Sequence, residues 1–227
     1  MGGGGAGLGE VRQTVPAGLP LRLLRRLRTV GAVEYDPSTA LIVVDVQNDF
    51  ADPDGSLYVA GGEESVDFVN MQIASAREAG ALIAYTQDWH PASTPHFVTD
   101  GGIWPVHCVA DTWGAAFHPR LTVVDDSITI HKGVSGEDGY SGFTVRDPKT
   151  GRQASTGLAD ELRHHDVGKV VIVGLALDYC VKETALDAAG LGLATTVLAD
   201  GTRPVNLSPG DGARAAAAIT RGGANII

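Results

Sequence analysis

From residue 38 onward the chain alternates between two hydrophobic periods. Unbroken apolar runs occur at residues 40–44, 81–86 and 170–173, and weaker ones at 128–132, 193–200 and 224–227. Runs this short and rich in β-branched residues fit strands buried on both faces of a parallel sheet. Between them, apolar residues recur at helical spacing. Val66, Val69, Ile73 and Ala76 mark one helix, and Val181, Ala185 and Ala188 another. Residues 155–165 and 208–221 read as two more. This alternation predicts an α/β fold: a doubly wound, mostly parallel six-stranded sheet with helices on both faces. Two stretches break the pattern, residues 87–119 and 133–153, and both read as loops. The first is long enough that function or disorder is the usual explanation.

The body from residue 38 to 227 reads as one domain without internal repeats. Residues 1–37 differ in character and read as a flexible extension. Residues 1–9 are glycine-rich with nothing to bury, which predicts disorder. Residues 19–28, LPLRLLRRLR, form a short basic amphipathic segment. Its Arg-rich, acid-poor composition fits a targeting or surface-binding helix, but no secretory h-region or cleavage pattern follows, and a dispensable extension fits as well.

Composition narrows the function classes. With 17 Lys+Arg against 27 Asp+Glu, the formal net charge is −10, a poor match for general binding of nucleic acid or anionic membrane. No apolar run reaches the length of a membrane span. The two cysteines, Cys108 and Cys180, allow at most one bridge, which excludes a disulfide scaffold and points to a cytoplasmic protein with free thiols. A small-molecule substrate is the expected partner, and homo-oligomerisation stays open.

Polar residues at the strand ends carry the chemistry. Asp45 follows the first strand, Asp88 and His90 the second, Lys132 the third and Cys180 the fourth. In open parallel sheets, ligands bind beyond the carboxyl ends of the strands, so all five fall on the functional edge. Cys180 lies where a strand hands over to a helix, with Asp178 offering an N-cap. There, backbone N–H groups lower a thiol pKa and favour an oxyanion. Taken alone, Cys180 reads more readily as a buried core residue than as a nucleophile. With Asp45 and Lys132 beside it, the set makes a nucleophile, a base and a positive charge.

A second constellation lies in the long loop: Asp88, His90, His96 and His107. One carboxylate and three imidazoles suit one divalent transition metal ion (zinc, iron or manganese), with positions left open for water or substrate. His118, before Pro119, reads as an ordinary hydrogen-bonding histidine.

The chain resembles the isochorismatase-like cysteine hydrolases, and among them the nicotinamidases and pyrazinamidases. The resemblance runs from about Ala40 to the C-terminus. It is carried by VVDVQNDF, TQDWHP, PHF, WPVHCV, HKG, YSGF and GLALDYCVKETALDA. It implies a triad of Asp45, Lys132 and Cys180 and a metal held by Asp88, His90, His96 and His107. It further implies a cis peptide before Ala176, which aims the N–H groups of Ala176 and Cys180 at an oxyanion, and an aromatic clamp of Phe50, Trp104 and Tyr140. The implied reaction is metal-dependent hydrolysis of nicotinamide to nicotinate and ammonia through a cysteine thioester, in NAD salvage. A related amidase acting on another small amide or ureido compound is the alternative, and a silent binding protein has no need of the thiol–carboxylate pair. Tyr179 stands where some relatives carry histidine, and residues 136–140, GEDGY, are variable ground.

Overall fold

A computed structural model describes Met1 and residues 33–227. The basic segment at residues 19–28 lies outside the described residues. The main sheet has six strands: β1 (Thr39–Val44), β2 (Leu82–Asp88), β3 (Ile128–Lys132), β6 (Lys169–Leu175), β7 (Ala194–Arg203) and β8 (Asn225–Ile226). Their order is β3-β2-β1-β6-β7-β8, and every pairing is parallel. The chain winds outward from β1 in one direction and from β6 in the other, so the switch point lies between these two strands.

The unbroken apolar runs have a physical reason. Side chains alternate along a strand, and here both faces are covered. From β1, Leu41 and Val43 join Val66, Val69, Ile73 and Ala76 of helix α2 (Gly62–Glu78) in one core. Ala40, Ile42 and Val44 join the opposite core, with Leu158 and Leu162 of α3 (Leu158–His164), Ala185 and Ala188 of α4 (Lys182–Gly190) and Ile219 of α5 (Asp211–Arg221). Each buried Val, Leu or Ile among them contributes about 1.5–3 kcal/mol. Together they fix the edge on which charged groups must be buried.

Several boundaries differ from the sequence expectation. A four-residue helix, α1 (Asn48–Ala51), follows β1. Helices α3 and α5 begin only after Gly157 and Gly210. The stretch expected as loop at 133–153 runs into an antiparallel hairpin, β4 (Thr144–Arg146) with β5 (Gln153–Ser155); its three-residue strands are too short and too exposed to show a hydrophobic period. Residues 33–37, grouped with the extension on sequence grounds, pack on the body. Val33 and Tyr35 lie against the first core, Tyr35 donates to Gln72 Oε1 at 3.0 Å, and Asp36 pairs with Lys169 at 2.5 Å. Among the described residues, no helix is long and apolar enough to cross a membrane.

One close approach shapes the carboxyl edge. Gly174 of β6 pairs with Val44 of β1, and a Cβ there would stand 2.0 Å from the Val44 carbonyl oxygen at a φ of +111°. Only glycine fits. The contact brings the residue after β1, Asp45, beside the turn that leaves β6.

Candidate active site

The residues expected at the strand ends meet in the structure. Lys132 ends β3 directly opposite Asp88, which ends β2. Its ammonium, fully buried, lies 2.8 Å from Asp45 Oδ2 and 2.5 Å from Asp88 Oδ1. It also donates to the Gly139 carbonyl and stands 3.8 Å from Cys180 Sγ. Asp45, Asp88 and Cys180 bring ligand atoms within 4.8 Å of one another. Asp45 holds a left-handed backbone, φ 48°, a conformation that costs a non-glycine residue about 1–3 kcal/mol and clusters at functional sites. Its Oδ1 accepts the Thr86 hydroxyl at 2.6 Å. Its Oδ2 has the lysine charge beside it but receives no hydrogen bond, which leaves a lone pair for a thiol proton.

Burial is the largest single influence on these groups, and the charges around each decide whether it prevails. It pushes Asp45 up to about 6 against the pull of the Lys132 charge. At Lys132 burial works against the charge, but Asp45 and Asp88 outweigh it and hold the ammonium protonated. At Asp88 burial is overcome by the Lys132 charge and the contact with His90, which hold the carboxyl below the usual carboxylate range. Cys180 was expected to have a depressed pKa. Its burial raises the thiol well above the ordinary value; Lys132 lowers it, but Asp45 and Asp88 add to the rise. The resting group is therefore a thiol beside a carboxylate, and attack needs Asp45 as a base.

The turn bearing Cys180 also differs from expectation. Residues Leu177–Val181 form a single π-helical turn that runs into α4, a wide turn frequent at functional sites. Asp178 does not cap it. Its carboxylate instead accepts the N–H groups of Val205 and Asn206, each at 2.8 Å, tying a second wall of the site to the nucleophile turn. The Leu175–Ala176 peptide is cis, and Ala176 lines the cavity beside Cys180.

His90, His96 and His107 converge, with one ring nitrogen of each within 4.8 Å of the others. Asp88 Oδ2 faces them, 3.6 Å from His90 Nε2 and 3.8 Å from His107 Nε2. His107 Nδ1 donates to the Pro105 carbonyl at 2.7 Å, which leaves the lone pair on Nε2. Burial lowers its pKa to about 4, so the ring is neutral. Both nitrogens of His90 are buried without a hydrogen-bond partner. Buried polar atoms are almost always satisfied, and a cation among these N and O donors would satisfy one of the two. The donor set fits a divalent transition metal. Gly133 admits the His90 ring: a Cβ there would stand 2.5 Å from His90 Cε1, at φ +72°. His118 lies apart, its Nδ1 accepting the Arg120 N–H at 3.3 Å.

Between the nucleophile and the imidazoles lies a narrow cavity, whose atom-free space of about 350 Å³ includes open solvent at its mouth. Phe50, Trp104 and Tyr140 all line it, with Tyr179 and Val205. Trp104 Nε1 donates to the Tyr140 hydroxyl at 2.8 Å, and Tyr179 packs edge-on against Trp104 at 4.8 Å. The cavity thus suits a small flat ring. The chain matches the isochorismatase domain over residues 39–224. It belongs to the isochorismatase family. The nicotinamidase of Escherichia coli (strain K12) is 37% identical over 206 residues, covering 84% of this chain and 94% of that protein. The structure of the pyrazinamidase of Pyrococcus horikoshii in complex with zinc superposes with a TM-score of 0.74 at 38% identity, over 84% of this chain and 99% of that one. The structure of PnC1 from L. infantum in complex with nicotinate gives 0.77 at 35%, over 86% and 95%.

In this isochorismatase-family chain, the residues that hold the site together had escaped sequence reasoning. Gln47 Nε2 donates to the carbonyls of Asp88 and Ala115, both at 2.8 Å, and its Oε1 accepts the Asp88 N–H at 2.8 Å. Its side chain serves as a strand partner for the end of β2. Asp49 Oδ2 accepts the Cys108 N–H at 2.6 Å, one residue beyond His107. Asn48 Nδ2 donates to the Trp113 carbonyl at 2.7 Å. The QND triplet thus staples the long loop to the sheet, and its position directly after Asp45 and Val46 in the chain was the available signal.

Proposed function

We propose that this hydrolase converts nicotinamide to nicotinate and ammonia through a thioester on Cys180, with a divalent metal held by Asp88, His90, His96 and His107. One observation carries the reading: Asp88 gives Oδ1 to Lys132 and turns Oδ2 toward His90 and His107. The nucleophile and the metal donors therefore share one wall of one aromatic-lined cavity. A metal bound there supplies a Lewis-acid anchor for a ring nitrogen.

The chain's own groups account for the chemistry. Phe50, Trp104 and Tyr140 clamp the ring and set the carboxamide over Cys180. As Sγ attacks the carboxamide carbon, Asp45 Oδ2 takes the thiol proton. The N–H groups of Ala176 and Cys180 receive the oxyanion. Collapse breaks the C–N bond, and Asp45 returns the proton to the leaving nitrogen, releasing ammonia. Asp45 then takes a proton from water as the water attacks the thioester, and passes it to the departing sulfur. Lys132 stays charged throughout and holds Asp45 in place. The two free thiols are compatible with a reducing cytoplasm, which is the compartment this reading favours.

The test is ammonia release from nicotinamide by the full chain, with Cys180→Ala run beside it. Release by the natural chain and loss in the variant support the assignment. Metal-loaded protein that releases no ammonia from nicotinamide or pyrazinamide overturns it and moves the substrate to another small amide or ureido compound.

A further inference from the structure

We infer that Asp138, a residue of the GEDGY loop, is a positioning residue for the metal centre: its carboxylate fixes the His96 ring for coordination. The inference rests on the metal reading above. Asp138 Oδ1 lies 2.8 Å from His96 Nδ1. A carboxylate oxygen only accepts, so Nδ1 carries the hydrogen and the lone pair is left on Nε2. His96 itself is buried and stacks on His90 at 4.8 Å between ring centroids, so the ring turned by Asp138 belongs to the convergent cluster. The three imidazoles are oriented unequally. His107 is held by the neutral Pro105 carbonyl, and His90 nitrogens have no hydrogen-bond partner. Among the described residues, Asp138 is the one carboxylate outside the donor set within 3 Å of a ring nitrogen of this cluster. Outer carboxylates of this kind orient a ligating ring and raise its basicity, and their loss costs about 10–100-fold in metal affinity.

The role of the carboxylate is separable from that of the loop. The Asp138 backbone is fixed by two hydrogen bonds with Arg146, its N–H donating at 2.7 Å and its carbonyl accepting at 3.0 Å. The next residues are anchored on their own terms, Gly139 by its carbonyl on Lys132 and Tyr140 by Trp104. Replacing the side chain at 138 removes the His96 contact and leaves these ties in place. The β4–β5 hairpin, which carries Arg146, thereby gains a use: it buttresses the loop that reaches the metal donors.

The experiment is a Zn²⁺ titration of the metal-stripped full chain in competition with a chromophoric chelator. It compares the natural protein with Asp138→Asn, Asp138→Ala and, as a charge control, Glu137→Gln, whose carboxylate accepts the Ser135 N–H on an exposed loop. The expected result is a Kd raised about 10–100-fold in Asp138→Ala. Asp138→Asn, which still accepts the Nδ1 hydrogen without the charge, falls between it and the natural chain. Glu137→Gln is unchanged. Thermal midpoints of the metal-free proteins coincide, and saturating Zn²⁺ restores turnover of both Asp138 variants with an unaltered KM. Unchanged Zn²⁺ affinity in both variants overturns the inference. So does weakened binding that tracks a lowered midpoint of the metal-free variants, since that marks a structural role. Natural protein that binds no Zn²⁺ overturns the metal reading and this inference with it, and is told apart because it needs no variant.

Discussion

Replacing Lys132 by methionine removes the charge on which both halves of the site lean while keeping much of the side-chain length. The ammonium is fully buried between Asp45, itself fully buried, and Asp88, which is 4% exposed. Breaking a buried ion pair by deleting one partner costs about 3–5 kcal/mol, because the remaining charge is uncompensated. Here two carboxylates lose their cation and the Gly139 carbonyl its donor, so the upper part of that range applies. This is a large share of the roughly 5–15 kcal/mol that holds a domain folded. The loss also has a sign in pH. Asp45 already binds its proton up to about 6 in the folded chain, against about 3.9 unfolded. A carboxyl with a raised folded pKa contributes stability that is full below the unfolded value and lost as pH rises through the folded one. Without Lys132 that folded value climbs further, so the window of loss widens upward. Urea unfolding of both proteins in chelator, which removes metal linkage, reads the difference. The deficit of Lys132→Met is expected to be larger at about pH 8 than at about pH 5, with equal m-values. A deficit under about 1 kcal/mol, the range of an exposed ion pair, or one that grows toward acid, would refute the reasoning.

Asp45→Asn should lower kcat by about 10²–10⁴-fold, the usual worth of a positioned base. In the natural enzyme kcat/KM should fall on the acid side with an inflection near the Asp45 value of about 6, since the carboxylate must be ionised to take the thiol proton; a flat profile through that region contradicts the role. Gly133→Ala drives a methyl to 2.5 Å from His90 Cε1 at a positive φ, and should cost about 1–3 kcal/mol in stability with loss of bound metal by elemental analysis. Chelation should stop nicotinamide turnover while the circular dichroism of the sheet persists, and one of zinc, iron or manganese should restore it. Activity that survives complete metal removal excludes the anchoring role.

The fold was legible because its strands are buried on both faces. A parallel strand such as β1 writes itself as a continuous apolar run, and the first polar residue after it, Asp45, marks the functional edge. The histidine cluster was legible from spacing within a single loop. What stayed hidden acts across the chain. Gln47 reaches Asp88 and Asp138 reaches His96 over some forty positions, and neither link leaves a local period. The hairpin was missed because three-residue exposed strands carry no alternation. The π turn adds its extra residue without altering the apolar spacing of α4, so Asp178 was read as a cap when its partners lie near residue 205. The direction of the Cys180 shift was misjudged for a related reason. A helix N-terminus and a lysine are visible in sequence, whereas the burial that outweighs them is a property of the packed site.

Burial also explains how the two constellations depend on each other. Lys132 can remain charged in the interior only because two carboxylates face it. Asp45, raised to about 6, is poised to exchange a proton, and Asp88 is the partner that stays ionised. Asp88 must therefore balance the lysine through Oδ1 while Oδ2 faces the imidazoles. A cation among those imidazoles draws on the same carboxylate that stabilises Lys132, so metal occupancy changes the field at Asp45 and at the thiol 3.8 Å from the ammonium. Stripping the metal should for this reason change the alkylation rate of Cys180 as well as ligand binding. If an uncharged thiol reagent modified metal-free and zinc-loaded protein at the same rate across pH, with equal access to the cavity shown by a neutral ring ligand, the shared carboxylate would not couple the two centres.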